Sequence, residues 1–208
     1  LGGKSAHVVF SDADLDAAAN GVVAGVFAAA GQTCQAGSRL LVQREVHDAL
    51  VEKVVKRANT IRLGNPFDAD TEMGPIANQS QFDKVVHYLK LAKREGGNIA
   101  CGGVAEQGGL FIRPTVVTGV HGDNSVVKEE VFGPVLAVQP FDTEDEGIAL
   151  ANNTEYGLAG AVWTKDVHRA HRVAGALRAG SVWINAYRIV SPGMPFGGFG
   201  SSGIGRES

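Results

Sequence analysis

Short apolar or β-branched runs alternate with longer amphipathic stretches along the whole chain, and this alternation constrains the fold more than any other feature. It is typical of βα units stacked into a mainly parallel sheet. It predicts strands or apolar sheet segments at residues 6–10, 39–43, 114–120, 133–141, 158–164 and 181–185. It predicts helices at residues 14–30, 46–61, 79–95, 143–152 and 166–177. We therefore expect an α/β fold, a single three-layer domain in which helices flank a mainly parallel sheet.

Two glycine-rich segments are expected to lie outside these elements. Residues 96–109 are predicted to form a loop with short strands, and residues 186–208, which also contain Pro and Ser, an irregular loop. Ser11 or Asp12 is available to cap the first helix. The 208 residues contain no internal repeat and no linker-like stretch, so residues 1–208 are expected to form one domain.

Composition and charge exclude several classes of protein. Hydrophobic residues make up 44% of the chain and charged residues 20%, which indicates a globular protein and no membrane partner. The formal charge is -3 and the basic residues are scattered, which argues against nucleic acid as a partner. Cys34 and Cys101 lack the paired spacing of a zinc site or a disulfide framework, so a reducing, cytoplasmic setting is expected. The chain has no initiator Met and is expected to be a piece of a longer protein.

Cys34 lies in a turn that joins an apolar helix to a strand. Glycines at positions 31 and 37 would let a ligand approach the backbone closely. A thiolate there could attack a carbonyl group, and exposed backbone N–H groups could stabilise the resulting oxyanion. Spacing alone favours the simpler interpretation, in which Cys34 is a small buried apolar residue.

Several sequence motifs, taken together, favour a reactive Cys34 over a buried structural one. In their order and approximate spacing they resemble the signatures of the aldehyde dehydrogenase superfamily, over the whole chain. The matching segments are residues 1–5, 31–39, 128–135, 195–198 and 202–207. The resemblance implies the catalytic domain of that superfamily, with a Rossmann-like sheet and little of the cofactor-binding domain.

The resemblance also implies residue roles. Cys34 would be the nucleophile that forms a thiohemiacetal, with its own backbone N–H on the oxyanion. Hydride would pass to the nicotinamide of NAD or NADP, and water would hydrolyse the thioester. Glu130 would bind the nicotinamide ribose, since a carboxylate suits two hydroxyl donors, and Phe132 would pack beside the nicotinamide. By spacing alone Glu129 and Glu130 could equally be a solvated acidic pair.

A small-molecule aldehyde is the implied substrate. The residues expected to line its channel are Thr33, Gln35, Arg188, Val190 and Phe196. Arg188 suggests an anionic group on the substrate, although an arginine in a surface loop is more often simply solvated. The parent protein is expected to be a homodimer or homotetramer.

The chain departs from a complete enzyme of this superfamily. The resemblance places the general-base glutamate immediately before Leu1, and the side-chain half of the oxyanion hole in a preceding portion. We therefore expect this chain alone to be inactive. Two alternatives stay open: an acylating or phosphorylating dehydrogenase of the same superfamily, and a non-catalytic assembly module.

Two further patterns imitate functional sites. Residues 198–203 have the glycine spacing of a dinucleotide fingerprint, but prolines precede them and no helix is expected to follow. His168 and His171 could share a metal ion, but no third ligand is apparent. A solvated helix face is therefore expected. Cys101, which has no motif around it, is expected to be structural.

Overall fold

The computed structural model describes residues 1–106 and 108–207. Its strands are β1 (Ala6–Val9), β2 (Arg39–Gln43), β3 (Asn98–Cys101), β4 (Thr115–Thr118), β5 (Val135–Phe141), β6 (Tyr156–Gly157), β7 (Ala159–Trp163), β8 (Ser181–Ile184) and β9 (Phe199–Gly200). Its α-helices are α1 (Leu15–Phe27), α2 (His47–Thr60), α3 (Gln79–Arg94), α4 (Ser125–Lys128), α5 (Glu144–Asn152) and α6 (Val167–Ala176). Short 3₁₀ turns occupy Ala28–Gly31 and Arg44–Val46.

Within the described residues, seven strands form one sheet in the order β3-β4-β5-β2-β1-β7-β8. Strand β3 pairs antiparallel with β4, and the remaining neighbours pair parallel. Ala6 is in register with Arg39 and with Gly160, and Arg39 is in register with Ala137. The amino-terminal ends of the parallel strands therefore meet at a single edge of the sheet. The mainly parallel α/β sheet predicted from the sequence is confirmed.

The two faces of the sheet carry separate cores. Leu40 and Leu41 are neighbours in β2 and both are fully buried, but they belong to different cores because successive strand residues point to opposite faces. Helices α1, α2 and α3 cover the face of Leu40. Helices α5 and α6 cover the other face, where Leu41 packs with Phe10 and Phe141. Burial on both faces explains why the strands read as continuous apolar runs.

The first helix differs from its prediction at both ends. Its N-cap is Asp14, whose carboxylate accepts from the backbone N–H groups of Asp16 and Ala17. The proposed cap Asp12 instead accepts from the Thr164 hydroxyl, which ties β1 to β7. The helix ends at Phe27, three residues earlier than predicted, because the backbone turns left-handed after it.

The carboxy-terminal segment is mostly irregular, as predicted, with one addition. Strand β9 pairs antiparallel with β6. A turn and not a helix follows β9, so the glycine spacing of residues 198–203 lacks the context of a dinucleotide fingerprint. Among residues 1–106 and 108–207, no helix has both the length and the apolar character needed to cross a membrane.

Candidate active site

Cys34 lies in a tight turn just before β2, at the amino-terminal edge of the parallel strands. The turn is closed by the Ala36 N–H, which donates to the Thr33 carbonyl at 3.0 Å. Cys34 is partly exposed. Its backbone N–H has no acceptor among the residues that the structure describes. The turn therefore presents a thiol together with a free hydrogen-bond donor, the pair that addition to a carbonyl group requires.

A run of left-handed backbone immediately precedes this turn. Ala29, Ala30 and Gly31 have φ values of 52°, 53° and 71°. Such angles are unfavourable for alanine, because Cβ approaches the following carbonyl oxygen. Gly31 packs against the carbonyl group of Gly133, where a Cβ atom would overlap the oxygen. The run thus brings the Cys34 turn against the segment that enters β5.

Two glutamine side chains fix these segments to their neighbours. The Gln32 amide nitrogen donates to the Ala29 carbonyl at 3.2 Å, and its oxygen accepts from the Ala77 N–H at 2.8 Å. The Gln81 amide nitrogen donates to the carbonyls of Val131 and Phe132, at 2.9 and 2.8 Å. No role for either glutamine was predicted from the sequence. Apart from Ala29, these partners are backbone groups 45 or more positions away, and such contacts leave no pattern in the sequence.

Glu130 lies beside the segment that precedes β1. The Gly3 N–H donates to Glu130 Oε1 at 2.9 Å, and Gly3 also packs directly against the Cys34 carbonyl oxygen. Glu129 differs from Glu130, because its carboxylate accepts the Tyr88 hydroxyl at 2.6 Å. One contact with Gly3 leaves Glu130 with unused acceptor capacity, which fits two hydroxyl donors of a ribose.

Phe132 follows in the same segment. It is half-buried and has a φ of 55°, an unusual angle for an aromatic residue. Because its carbonyl is held by Gln81, its backbone is fixed beside the Cys34 turn. Glu130 and Phe132, which are predicted to contact the nicotinamide end of a dinucleotide, therefore lie on the same edge of the sheet as Cys34.

Ser202 joins the last motif of the chain to the first. Its hydroxyl donates to the Gly2 carbonyl at 2.7 Å and accepts from the Gly157 N–H at 3.0 Å. Ser202 is itself buried. Motifs nearly 200 residues apart are therefore in contact at the edge where Cys34 lies.

Lys4 is a buried cation next to this edge. Burial, together with the nearby Arg39 guanidinium, lowers the pKa of its ammonium group to about 7, although Glu130 and Glu129 act in the opposite direction. Its Nζ atom has no hydrogen-bond partner in the described part of the chain. Arg39, also buried, donates one hydrogen bond from each guanidinium nitrogen, to the carbonyls of Lys4, Leu150 and Ala151. Sequence reasoning assigned no role to either residue.

The residues predicted to line the substrate channel lie in two places. Thr33 and Gln35 flank Cys34 and are partly buried. Arg188 is linked to this region through the preceding residue, Tyr187, whose hydroxyl donates to the Gln35 carbonyl at 2.8 Å. Val190 and Phe196 instead line a groove of about 340 Å³ beside β8. A channel shared by all five residues stays a prediction.

The remaining cysteine is placed as expected. Cys101 ends β3, is buried, and approaches the Pro114 carbonyl with its Sγ at 3.7 Å. Burial raises the pKa of its thiol. Cys101 therefore lacks both the access and the thiolate character of a nucleophile.

The fold is of the α/β class, and comparison with known proteins gives the family. The family model for the aldehyde dehydrogenase family matches residues 1–208, so the chain belongs to that family. It is 49% identical over its whole length to a betaine aldehyde dehydrogenase of Mesorhizobium japonicum, and 47% identical to one of Brucella anthropi. In both cases the matched region covers 44% of the relative. The chain thus spans less than half the length of these curated relatives.

A solved structure shows the same fold. The betaine aldehyde dehydrogenase of Staphylococcus aureus, crystallised in complex with NAD+, superposes on this chain with a TM-score of 0.97 at 46% identity. The match covers 99% of this chain and 42% of that one. The α/β fold seen here is therefore that of a region of an aldehyde dehydrogenase.

Proposed function

We propose that the protein carrying this chain is an NAD(P)-dependent aldehyde dehydrogenase that oxidises an aldehyde to a carboxylic acid, with Cys34 as its nucleophile. The observation that carries the proposal is the Cys34 turn, in which a partly exposed thiol and an unused backbone N–H belong to the same residue. Membership of the aldehyde dehydrogenase family supports this reading.

The first chemical step uses the Cys34 thiol and the Cys34 backbone N–H together. The Cys34 thiolate adds to the aldehyde carbon, so that a C–S bond forms and the carbonyl π electrons move to the oxygen. The Cys34 N–H then donates to the new oxyanion. A positioned donor of this kind is typically worth a factor of about 100 or more in rate, because its hydrogen bond strengthens as the charge develops.

The same edge suits a nicotinamide cofactor. NAD or NADP, when bound, supplies the acceptor for the hydride that leaves the Cys34 adduct. Glu130 would accept hydrogen bonds from the ribose hydroxyls, and Phe132 would restrict the nicotinamide ring. The complex of the Staphylococcus aureus relative with NAD+ supports NAD as the cofactor.

The test of the nucleophile uses the whole protein, NAD, an aldehyde, and neither coenzyme A nor phosphate. Reduced cofactor and carboxylic acid should form in equal amounts. Cys34→Ala should abolish both, while Cys101→Ala, the matched control at a buried thiol, should leave them in place. Turnover by Cys34→Ala would contradict the assignment. A strict requirement for coenzyme A or phosphate would indicate an acylating or phosphorylating enzyme instead.

The role of Glu130 is tested separately. Glu130→Gln keeps the shape and the contact with Gly3 but removes the charge that strengthens hydrogen bonds from hydroxyl donors. It should lower kcat about tenfold or more, corresponding to at least about 1.4 kcal/mol. Glu129→Gln is the matched control, because its amide oxygen can still accept from Tyr88. Equal losses in both variants would contradict the assignment.

Thr33, Gln35, Arg188, Val190 and Phe196 are proposed to line the aldehyde channel. Arg188 forms no ion pair within residues 1–106 and 108–207. Its free positive charge favours a neutral or anionic aldehyde over a cationic one such as betaine aldehyde. Two charges about 9 Å apart at an effective dielectric constant of about 20 interact by about 2 kcal/mol.

Arg188→Gln should therefore raise kcat/KM for betaine aldehyde about thirtyfold relative to a neutral aldehyde of similar size. It should lower the value for an anionic aldehyde. Arg62→Gln, at an exposed position outside the site, is the control for a general effect of net charge. An unchanged ratio in Arg188→Gln would remove Arg188 from the channel.

A further inference from the structure

Three aromatic side chains, two of them buried and the third partly exposed, form a cluster beside the Cys34 turn, on the face of the sheet covered by α1. His7 of β1, Trp163 of β7 and Tyr187 of the loop after β8 make up this cluster, which we call the His7 cluster. The ring centroids of His7 and Tyr187 are 4.2 Å apart, and those of His7 and Trp163 are 6.2 Å apart. His7 is 0% exposed. The sequence analysis gave none of the three a role.

The hydrogen bonds of the cluster define the state of the imidazole. Trp163 Nε1 lies 3.1 Å from His7 Nδ1. An indole N–H can only donate, so Nδ1 is the acceptor and the proton of neutral His7 is on Nε2. Burial lowers the pKa of His7 to about 3, so the ring stays neutral near pH 7.

The protonated side of the ring faces the backbone around Cys34. His7 Nε2 has no hydrogen-bond partner in the part of the chain that the structure describes. It lies against Gly37, three residues after Cys34, where a Cβ atom would overlap the imidazole. A Cβ on Gly25 of α1 would come within 2.9 Å of the same nitrogen. Since the Gly37 N–H donates to the Gly25 carbonyl at 3.3 Å, the imidazole supports the point where the turn meets α1.

Tyr187 fixes the other end of the turn. Its hydroxyl donates to the Gln35 carbonyl at 2.8 Å, and burial raises the pKa of this hydroxyl, so it stays a donor. The Gln35 carbonyl belongs to the peptide whose N–H, that of Ala36, closes the turn on Thr33. The peptide that joins Gln35 to Ala36 is thus held by hydrogen bonds at both its carbonyl and its N–H. Cys34 lies next to this peptide, between Thr33 and Gln35.

We propose that Tyr187 and His7 are positioning residues for Cys34, which hold the turn so that the Cys34 N–H stays directed at the oxygen of the carbonyl under attack. The inference rests on the proposed function of Cys34. Neither residue touches the substrate. Tyr187 acts through the Gln35 carbonyl, and His7 acts by supporting Gly37 and by packing against the tilted Tyr187 ring.

The test compares two reactions of Cys34 in the whole protein, in a Cys101→Ala background. Acylation by p-nitrophenyl acetate forms a C–S bond, passes through an oxyanion, and releases p-nitrophenolate as the C–O bond breaks. Alkylation by iodoacetamide displaces iodide and forms no oxyanion. A positioned N–H therefore accelerates the first reaction and not the second, and neither reaction requires cofactor.

Tyr187→Phe should lower the acylation rate about tenfold, the effect of about 1.4 kcal/mol, and change alkylation less than twofold. His7→Gln should lower the ratio of the two rates in the same direction. Tyr88→Phe, which removes a hydroxyl that contacts Glu129 instead, is the matched control and should leave the ratio unchanged. If His7→Gln does not fold, Tyr187→Phe alone decides.

A ratio in Tyr187→Phe equal to that of the starting protein would overturn the positioning role and leave the proposed function intact. Parallel loss of both rates would also overturn it, because it indicates general loosening. Failure of Cys34 to react with p-nitrophenyl acetate in the starting protein would overturn the proposed function, and this inference with it.

Discussion

Ala29→Gly tests whether the left-handed run before Cys34 is strained. Ala29 has φ 52° and ψ 31°, and its side chain is exposed, so glycine leaves no cavity. The left-handed conformation costs a non-glycine residue about 1 to 2 kcal/mol. Glycine removes that cost but loses about 0.5 to 1 kcal/mol more conformational entropy on folding. The variant should therefore be more stable than the natural chain, by about 0.5 to 1 kcal/mol.

Ala24→Gly is the matched control. Ala24 is also exposed and precedes Ala29 by five residues, but it lies inside α1. Glycine in a helix interior costs about 1 kcal/mol. The same chemical change should therefore have opposite signs at the two positions, with a separation of about 1.5 to 2 kcal/mol.

Urea unfolding at equilibrium measures the difference in unfolding free energy between the two variants directly. Thermal unfolding should show it as a difference of several degrees in the midpoint. In a chain of this size, about 1 kcal/mol shifts the midpoint by about 2 to 4 °C. If Ala29→Gly destabilises the chain as much as Ala24→Gly does, position 29 is not left-handed in solution. The description of the turn before Cys34 would then be wrong.

Three further predictions concern single side chains. Iodoacetamide should modify Cys34 faster than Cys101 in the native chain, because Cys101 is buried and burial raises its pKa; equal labelling would contradict this. Lys4→Met should stabilise the chain at pH 6 by on the order of 4 kcal/mol, because the folded chain holds the ammonium pKa near 7 while the unfolded chain restores it to about 10.4. Stability of the natural chain should accordingly rise between pH 7 and pH 10, and a flat profile in urea titrations would argue against a buried Lys4. Gly31→Ala should cost about 3 kcal/mol or more, because its Cβ would meet the Gly133 carbonyl at a left-handed position; a loss below about 1 kcal/mol would show that the contact is loose.

The sheet could be predicted because its signals are local. Both faces of β2 are buried, so its three central residues, 40–42, form a continuous apolar run between the polar residues Arg39 and Gln43. Helix α2 carries Leu50, Val54 and Ala58 at helical spacing on its buried face. Short continuous apolar runs and a period of about 3.6 residues are both visible within a short stretch of chain, and together they predicted the α/β class.

Cys34 was proposed as the nucleophile from the resemblance alone, and its surroundings could not be predicted from the sequence. Nothing in the composition of residues 31–39 distinguishes a reactive cysteine from a buried one. The contacts that distinguish it are long-range: Gly3 lies against the Cys34 carbonyl, and Tyr187 donates to Gln35 across 152 positions. Such contacts depend on strand order, which a periodicity does not specify.

The caps show a similar limit at shorter range. Asp12 and Asp14 are both suitable N-cap residues by type and position. The choice between them depends on Thr164 at the end of β7, whose hydroxyl engages Asp12 and leaves Asp14 to the helix. Asp12 is thus engaged by a residue 152 positions away, a contact that the local sequence does not reveal.

The strain before Cys34 and the assembly of the site have one structural cause. A right-handed continuation of α1 would carry the chain away from Gly133, whereas the left-handed run at residues 29–31 turns it back against that segment. The Gly133 segment is the one that carries Glu130 and Phe132. Strained backbone persists only where surrounding contacts over-determine it, and here the bonds of Gln32 to Ala29 and Ala77 supply those contacts. Relief of the strain at Ala29 should therefore stabilise the chain without separating Cys34 from Glu130, because the contact that joins the two segments is made by Gly31.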